Sequence, residues 1–260
     1  MARLEPPAPT AYHRLNPLTK LVIAGATTLT CLVLGGYLAP ALLLAVVVLP
    51  GAFAAGMVGR VLRTAVLLAL PVAIAVTLVS VLTRPGTTVL FVLGPFDATL
   101  EGVDFAARVT MRLFVLAAAL TLYGLTTPPR ALIADLERRG VSPRLVFAMA
   151  GVLDAVPAMV ERGRLVLEAQ RARGLDSEAG VLRRGAGLRP LVGPVVIGAL
   201  HDVEARSLAL EARAFGRPGP RHPLWAPADS GGERAIRWLV LAGLIVVVAG
   251  SISRVLPQLP

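Results

Sequence analysis

The chain has 260 residues, of which 55% are hydrophobic and 16% are charged, and its mean hydropathy is +0.73. These values exclude an ordinary soluble domain of this size and predict an integral membrane protein. The formal charge of +10 comes from 25 arginines and a single lysine. Because no aromatic residues are interleaved with the arginines, a basic surface beside the lipid bilayer explains this charge better than nucleic-acid binding does.

The first apolar stretch, residues 21–59, contains no charged residue. As one helix its 39 residues would reach about 58 Å, nearly twice the ~30 Å hydrocarbon core of a bilayer. The pair Gly35–Gly36 offers a break. We therefore expect two short spans, from Leu21 to Leu34 and from Tyr37 to Phe53.

Two further spans are predicted next in the chain. Thr64 to Thr83 is an uncharged run interrupted only by Pro71, which membrane-embedded helices tolerate. Pro85 to Asp104 mixes glycine, proline and acidic residues and predicts an external loop or a partly re-entrant segment. Ala106 to about Leu125 is apolar again and predicts the fourth span.

The outer part of the fourth span carries Arg108 and Arg112, which lie four residues apart and so on one helical face. Charges at that depth usually face the interior of a helix bundle or a partner. For Arg108 the alternative is that its side chain snorkels to the outer interface.

After Thr126 the pattern changes, since residues 130–237 hold 17 of the 26 basic residues and 12 of the 16 acidic ones. This amphipathic region is predicted to face water. Its expected elements are a short helix from Pro128 to Arg139, a long helix from Ser142 to about Arg173 kinked at Pro157, a glycine-rich turn from Gly180 to Gly187, and a helix from Leu188 to Phe215. A last short span is predicted from Trp238 to Ser253.

The positive-inside rule assigns the two sides of the membrane. Five spans with a cytoplasmic N-terminus place 22 of the 26 basic residues inside. The predicted fold class is therefore an all-α polytopic protein of the plasma or inner membrane with cytoplasmic coupling helices. Its expected segments are an N-terminal cytoplasmic segment (1–20), four spans (21–125), a coupling-helix region (126–216), a linker (217–234) and a last span with the C-terminal tail (235–260).

Several kinds of catalytic site lack their sequence signature. A phosphate-binding P-loop needs a lysine after spaced glycines, and the only lysine, Lys20, has no such context. No Gly-x-Ser-x-Gly nucleophile motif is present, and the three histidines are not spaced as metal ligands. We expect a chain that is not an enzyme and that binds no cofactor or metal itself.

One short motif occurs twice, as Ala169–Gly174 and as Ala209–Ala214, and both copies read Ala-x-x-Ala-Arg followed by a small residue. In the first copy, arginine in the last helical turn and Gly174 as the left-handed cap would explain the pattern without a partner. The second copy has Ala214 in the place of that glycine, which argues against capping there. The alternative is that each arginine stands on a flat helical surface and enters a groove of a partner with two equivalent pockets.

Several motifs together resemble the transmembrane T component of energy-coupling factor (ECF) transporters, the cobalt and biotin type of transport permease. The matching stretches are Leu15–Leu21, Thr126–Pro128, Glu168–Asp176, Ala209–Arg213 and, within the fourth span, Met111–Leu113. The resemblance covers about Leu15 to Gly216. This chain departs from the family pattern at Ala214, where glycine is usual, and at Asp154, where arginine is common.

The resemblance implies a subunit that joins two cytoplasmic ABC ATPase subunits to a membrane substrate-binding (S) subunit for uptake of vitamins or transition-metal ions. ATP and Mg would then be bound by the ATPase partners. Ala172, Arg173 and Gly174 would couple to one ATPase and Ala212, Arg213 and Ala214 to the other. Arg112 and Pro157 would be structural or contact the S subunit.

The amphipathic helices would expose an apolar docking platform. Its expected members are Leu145, Val146, Met149 and Val152, and the alternative is that they pack against the chain's own spans. Two other functions compete with the coupling subunit. A membrane-embedded enzyme acting on lipid or prenyl substrates would need a cluster of acids or histidines at the membrane edge, and a self-contained carrier would need two comparable halves.

Overall fold

The computed structural model describes residues 10–93, 96–172, 181–215 and 227–253. The helices in these ranges are α1 (Ala11–Arg14), α2 (Pro17–Val33), α3 (Leu38–Ala54), α4 (Val58–Thr83), α5 (Leu100–Thr126), α6 (Pro129–Arg138), α7 (Pro143–Ala172), α8 (Val181–Ala212) and α9 (Gly231–Ile252). They group into two compact units. The bundle unit is residues 1–135 with 226–260, and the helix-pair unit is residues 136–225.

The predicted break in the first apolar stretch is confirmed. Helix α2 ends at Val33 and α3 begins at Leu38, and Gly36 in the turn between them has a φ of 78°, which favours glycine. Within α3, residues 44–48 form a π-helical turn just before Pro50. A proline cannot donate the usual i→i−4 hydrogen bond, and a widened turn accommodates its ring.

Helices α4 and α5 run antiparallel and form the core of the bundle unit. One end of the core joins Val61 and Ala65 of α4 to Ala118 and Leu122 of α5. Toward the other end, a Cβ on Gly102 would lie 2.6 Å from the carbonyl oxygen of Ser80. Small residues on the facing sides allow this close approach, as is usual for helices packed within a membrane.

The segment predicted as a loop or re-entrant stretch forms a β-hairpin instead. Strands β1 (Val89–Leu93) and β2 (Phe96–Thr99) pair antiparallel, and α5 begins directly afterwards at Leu100. Thr99 caps α5, since its hydroxyl accepts a hydrogen bond from the backbone N–H of Gly102 at 3.2 Å. The hairpin is the only sheet in the described residues, so the chain is an all-α membrane protein with one small hairpin.

Helices α4, α5, α7 and α9 are long and apolar enough to cross a membrane, and α2 and α3 are shorter apolar helices. The predicted spans therefore all fall on helices. Helix α7, which is predicted from the charge pattern to face water, is also long and apolar enough to cross a membrane. The apolar part of α7 is residues 143–160. Five charged residues of the helix lie in its remaining part, from 161 to 171.

The helix-pair unit consists of α7 packed on α8. The glycine-rich turn predicted over residues 180–187 is wrong from residue 181 onward, because α8 already begins at Val181. Glycine and proline lower helix propensity without forbidding a helix, and this one continues through Pro190 and Pro194 to Ala212. Helix α7 continues through Pro157 to Ala172, as predicted for a single long helix.

Candidate coupling site

The first copy of the arginine motif lies only partly in the described residues. Ala172 is the last residue of α7, and Arg173 and Gly174 lie outside the described ranges. The predicted role of Arg173 therefore stays a prediction.

The second copy ends α8 with a left-handed cap. Ala214 has a φ of 53°, and the backbone N–H groups of Ala214 and Phe215 donate to the carbonyl oxygens of Glu211 (2.9 Å) and Leu210 (2.9 Å). This pair of bonds is the Schellman pattern that glycine usually completes. The inference that Ala214 argues against capping is thus wrong, because alanine here adopts the glycine conformation.

The cap fixes where Arg213 stands. Arg213 is the residue between the last helical residue, Ala212, and the left-handed Ala214, and all three are exposed. Within the part of the chain that the structure describes, the guanidinium of Arg213 has no hydrogen-bond or ion-pair partner. Capping and docking are therefore compatible, since the cap uses the backbone and leaves the arginine side chain available.

Helices α7 and α8 run antiparallel, so the two motif copies lie at opposite ends of the pair. Phe147, near the start of α7, contacts Phe215 after α8, with ring centroids 5.0 Å apart. Farther along, Arg162 of α7 donates to Asp202 of α8 at 2.6 Å. From Phe147 to Ala172 the helical rise is about 37 Å, and this is the approximate spacing along α7 between Arg213 and Ala172 of the first copy.

Three of the four predicted platform residues are exposed. Leu145, Met149 and Val152 have exposed fractions of 59%, 40% and 62%, whereas Val146 is buried at 8%. Further exposed apolar side chains continue along both helices of the unit: Val156, Met159, Val160, Leu165, Val196, Ile197, Leu200, Val203 and Leu208. So many exposed apolar side chains on one pair of helices are typical of a protein or lipid contact.

Pro157 and Arg112 lie in different units. Pro157 is an exposed residue in the middle of α7. Arg112 lies in α5, and its Nη2 atom is 3.5 Å from the carbonyl oxygen of Leu34, a long hydrogen bond that joins α5 to the end of α2. On the same face, Arg108 pairs with Asp104 at 2.9 Å, so Arg108 is engaged within the chain as well.

A buried polar cluster closes one end of the bundle unit, and we call it the Asn16 cluster. The side-chain amide of Asn16 donates to Asp135 Oδ1 at 2.8 Å and to the carbonyl oxygen of Ala228 at 3.2 Å, while its oxygen accepts from the N–H of Leu18 at 2.9 Å. The backbone N–H of Asn16 donates to the Glu233 carboxylate at 3.0 Å. Asn16 thus joins the starts of α2 and α9 to α6.

Two cations complete the Asn16 cluster. Lys20 Nζ donates to the carbonyl oxygens of Thr126 (3.0 Å) and His13 (3.2 Å), which ties the start of α2 to the end of α5. Arg237 of α9 donates to the hydroxyl of Thr19 at 2.8 Å and to both carboxylate oxygens of Asp229. Burial and the positive charge of Lys20 lower the pKa of His13, so that imidazole is disfavoured as a further cation here.

The family model that matches this chain is CbiQ, a cobalt transport protein, and the match covers residues 9–223. The chain belongs to this family. A relative from Thermosediminibacter oceani, named an energy-coupling factor transporter transmembrane protein, is 30% identical over 221 residues, or 80% of this chain and 82% of the relative. A second of that name, from Acidaminococcus fermentans, is 26% identical over 257 residues, covering 94% of this chain and 93% of the relative.

A third relative bears a different name. It is a putative ABC transporter ATP-binding protein of Bifidobacterium longum, 28% identical over 259 residues, which cover 95% of this chain and 32% of that protein. The predicted identity as an ECF transporter T component is confirmed, and this T component is a multi-pass membrane protein of a transport system.

Sequence reasoning used the stretches around Asn16 and Thr126 only as signs of the family and assigned them no contact. In this T component the two stretches meet, since Lys20 bonds Thr126 and Asn16 bonds Asp135. The sequence did contain a signal for these contacts, because an asparagine and a lysine at the start of an apolar helix are polar groups that need partners when they are buried. The sequence did not identify those partners.

Proposed function

We propose that this T component transmits ATP-driven motion from two ABC ATPase subunits to a membrane S subunit, for uptake of a vitamin or a transition-metal ion. The observation that carries the proposal is the placement of Arg213, an exposed guanidinium without a partner among the described residues, held at a capped helix end. ATP and Mg would be bound by the ATPase partners, and the chain itself would carry out no chemical step.

The spacing of the two motif copies supports two separate docking points. Ala172, the residue that precedes Arg173 in the chain, lies about 37 Å along α7 from the level of Arg213. That separation is too long for one groove to take both motif copies. It suits two subunits that each present a groove to one end of the helix pair. An arginine that enters a groove and bonds carbonyl or carboxylate oxygens there contributes about 1.5–3 kcal/mol.

The relative from Bifidobacterium longum supports ATPase partners for this chain. That protein is named for ATP binding, and the region similar to this chain makes up 32% of it. A chain of this kind joined to an ATP-binding protein indicates that the two work together. The comparisons give no support to the alternative of a lipid- or prenyl-modifying enzyme.

The exposed apolar side chains of α7 and α8 would form the platform that contacts the S subunit. This platform would move together with the ATPase subunits. The paired helices transmit force because Arg162–Asp202 and Phe147–Phe215 hold α7 against α8 at two separated levels. We place this unit and the N-terminus in the cytoplasm, since that orientation puts most of the basic residues inside.

The test is co-purification of the ATPase subunits with full-length chain variants in membranes that contain all partners. Arg213→Glu and Arg173→Glu are each expected to weaken ATPase association by about tenfold or more, and the double variant to abolish it. The matched control is Arg206→Glu, the same charge change on an exposed residue of α8 about two turns before Arg213. Intact assembly and ATP-driven uptake in the double variant, or an equal loss in the control, would refute docking through these arginines.

A further inference from the structure

The end of the bundle unit that carries the β-hairpin, here the hairpin end, contains an open cleft. At the opposite end α2 and α5 are level, because Lys20 bonds Thr126. Helix α2 ends near Arg112, since Cys31 Sγ lies 3.8 Å from the Arg112 carbonyl oxygen. Residues 100–111 of α5 therefore continue about 18 Å beyond α2. A cleft of about 840 Å³ occupies this space, between the turn at residues 35–37 and the first half of α5.

Three arginines and two carboxylates line the hairpin-end cleft. Both carboxylates are already engaged. Asp104 pairs with Arg108 at 2.9 Å and accepts from the Tyr37 hydroxyl at 2.8 Å. Glu101 Oε1 accepts hydrogen bonds from the backbone and hydroxyl groups of Thr87 and Thr88. Its Oε2 is buried against Gly86 and has no hydrogen-bond partner among the described residues.

The other two arginines, Arg84 and Arg112, have no carboxylate within ion-pair distance among the described residues. The guanidinium of Arg84 stacks on Phe105, 3.7 Å from the ring centroid, which leaves its N–H edges available. In the described ranges the Arg112 guanidinium makes a single polar contact, the 3.5 Å one with Leu34, and its buried Nε has no hydrogen-bond partner there. Arg112 lies within the fourth span, where a cation without a counter-charge is costly, and Arg84 stands at the end of α4 beside it. An anion in the cleft would offset both charges.

An apolar groove of about 790 Å³ adjoins the cleft and shares Tyr37, Val103 and Ala107 with it. The groove runs between α4 and α5 from Val103 toward Phe114. That distance is about 16 Å of helical rise, close to half of a ~30 Å hydrocarbon core. The groove therefore has the length and polarity of an acyl chain in one leaflet. Its upper end at Val103 lies near Phe105 and the Arg84 guanidinium stacked on it, whereas Arg112 follows Met111 farther down the same helix.

We propose that the cleft and the groove together bind a glycerophospholipid from the leaflet at the hairpin end. The phosphate lies in the cleft and accepts charge-assisted hydrogen bonds from Arg84 and Arg112, and one acyl chain follows the groove from Val103 toward Phe114. Free inorganic phosphate can accept the same hydrogen bonds from the arginines but cannot use the groove. The combination of unbalanced guanidinium groups with a continuous apolar channel favours the lipid.

The experiment uses the full-length chain in detergent micelles and counts bound molecules by mass spectrometry of the intact protein. The probes are phosphatidylglycerol, diacylglycerol with the same acyl chains, and inorganic phosphate. Phosphatidylglycerol is expected to bind and diacylglycerol to bind at least tenfold more weakly. Arg84→Gln and Arg112→Gln should each weaken phosphatidylglycerol binding about tenfold or more. Because Arg84 is exposed, its variant is expected to fold even if the Arg112 variant does not.

Two further variants separate the possible occupants. Ala107→Trp places a large ring at the junction of cleft and groove, at an exposed position, and is expected to abolish lipid binding. Arg60→Gln removes the same charge from the opposite end of α4 and should leave phosphatidylglycerol binding unchanged. An equal loss of phosphatidylglycerol binding in Arg60→Gln would overturn the proposal. Phosphate binding that depends on Arg84 and Arg112, together with lipid binding that is unchanged in Ala107→Trp, would also overturn it. So would unchanged lipid binding in arginine variants that instead release a partner subunit, since a protein carboxylate would then occupy the cleft.

Discussion

Exchanging Asn16 and Asp135 for each other tests whether the hydrogen bond between them stabilises the bundle unit. Asn16 is fully buried, with an exposed fraction of 0%, and its side chain donates to Asp135, donates to Ala228 and accepts from Leu18. In Asn16→Ala all three bonds are lost. The bond to a carboxylate contributes about 1.5–3 kcal/mol, the neutral bond about 1 kcal/mol and the helix cap about 0.5–2 kcal/mol. We expect the free energy of unfolding to fall by about 3–6 kcal/mol.

Asn16→Asp separates the cap from the Asp135 bond. Aspartate caps a helix as well as asparagine does, but it places a second carboxylate at the 2.8 Å contact with Asp135. Its loss of stability at neutral pH should therefore match or exceed that of Asn16→Ala. Combining Asn16→Asp with Asp135→Asn exchanges donor and acceptor, and we expect at least half of the loss to be recovered.

The assay is equilibrium unfolding in mixed micelles of a mild detergent and dodecyl sulfate. Ser230→Ala is the matched control, since Ser230 caps α9 at an exposed position through a 3.2 Å bond to Glu233 and should cost only about 1 kcal/mol. If Asn16→Asp stayed within about 1 kcal/mol of the parent chain, capping alone would explain Asn16. If the exchanged pair recovered nothing, the Asn16–Asp135 bond would not be a source of stability.

Two other substitutions test backbone geometry by the same unfolding measurement. Gly102→Ala should lower stability by about 1–3 kcal/mol, because the added Cβ would lie 2.6 Å from the Ser80 carbonyl oxygen. In the control Gly124→Ala the Cβ enters open space and should not destabilise the protein. Equal effects of the two substitutions would contradict the close approach of α4 and α5. Ala214→Gly should raise stability by about 0.5–1 kcal/mol, since glycine adopts a φ near 53° without the steric cost that alanine bears, and a loss would contradict the left-handed cap.

The helices that cross or line the membrane could be predicted from local sequence. A run of apolar residues about 20 long identifies a span by itself, and Gly35–Gly36 marked the break between α2 and α3. The arginine motif was also visible, because a repeated six-residue pattern needs no tertiary information. Turn chemistry was less predictable. Glycine-rich residues 181–187 are helical, and Ala214 takes a conformation typical of glycine.

Composition and charge by themselves determined that this is a helical membrane protein, and its motif order indicated the ECF T component family. Only the tertiary structure decided which polar groups meet. Asn16 and Asp135 are 119 residues apart and Thr19 and Arg237 are 218 apart, so no local pattern pairs them. The hairpin-end cleft has the same origin. It exists because α2 stops beside Arg112 while α5 continues, and the relative height of two helices is set by packing rather than by the hydrophobicity of either.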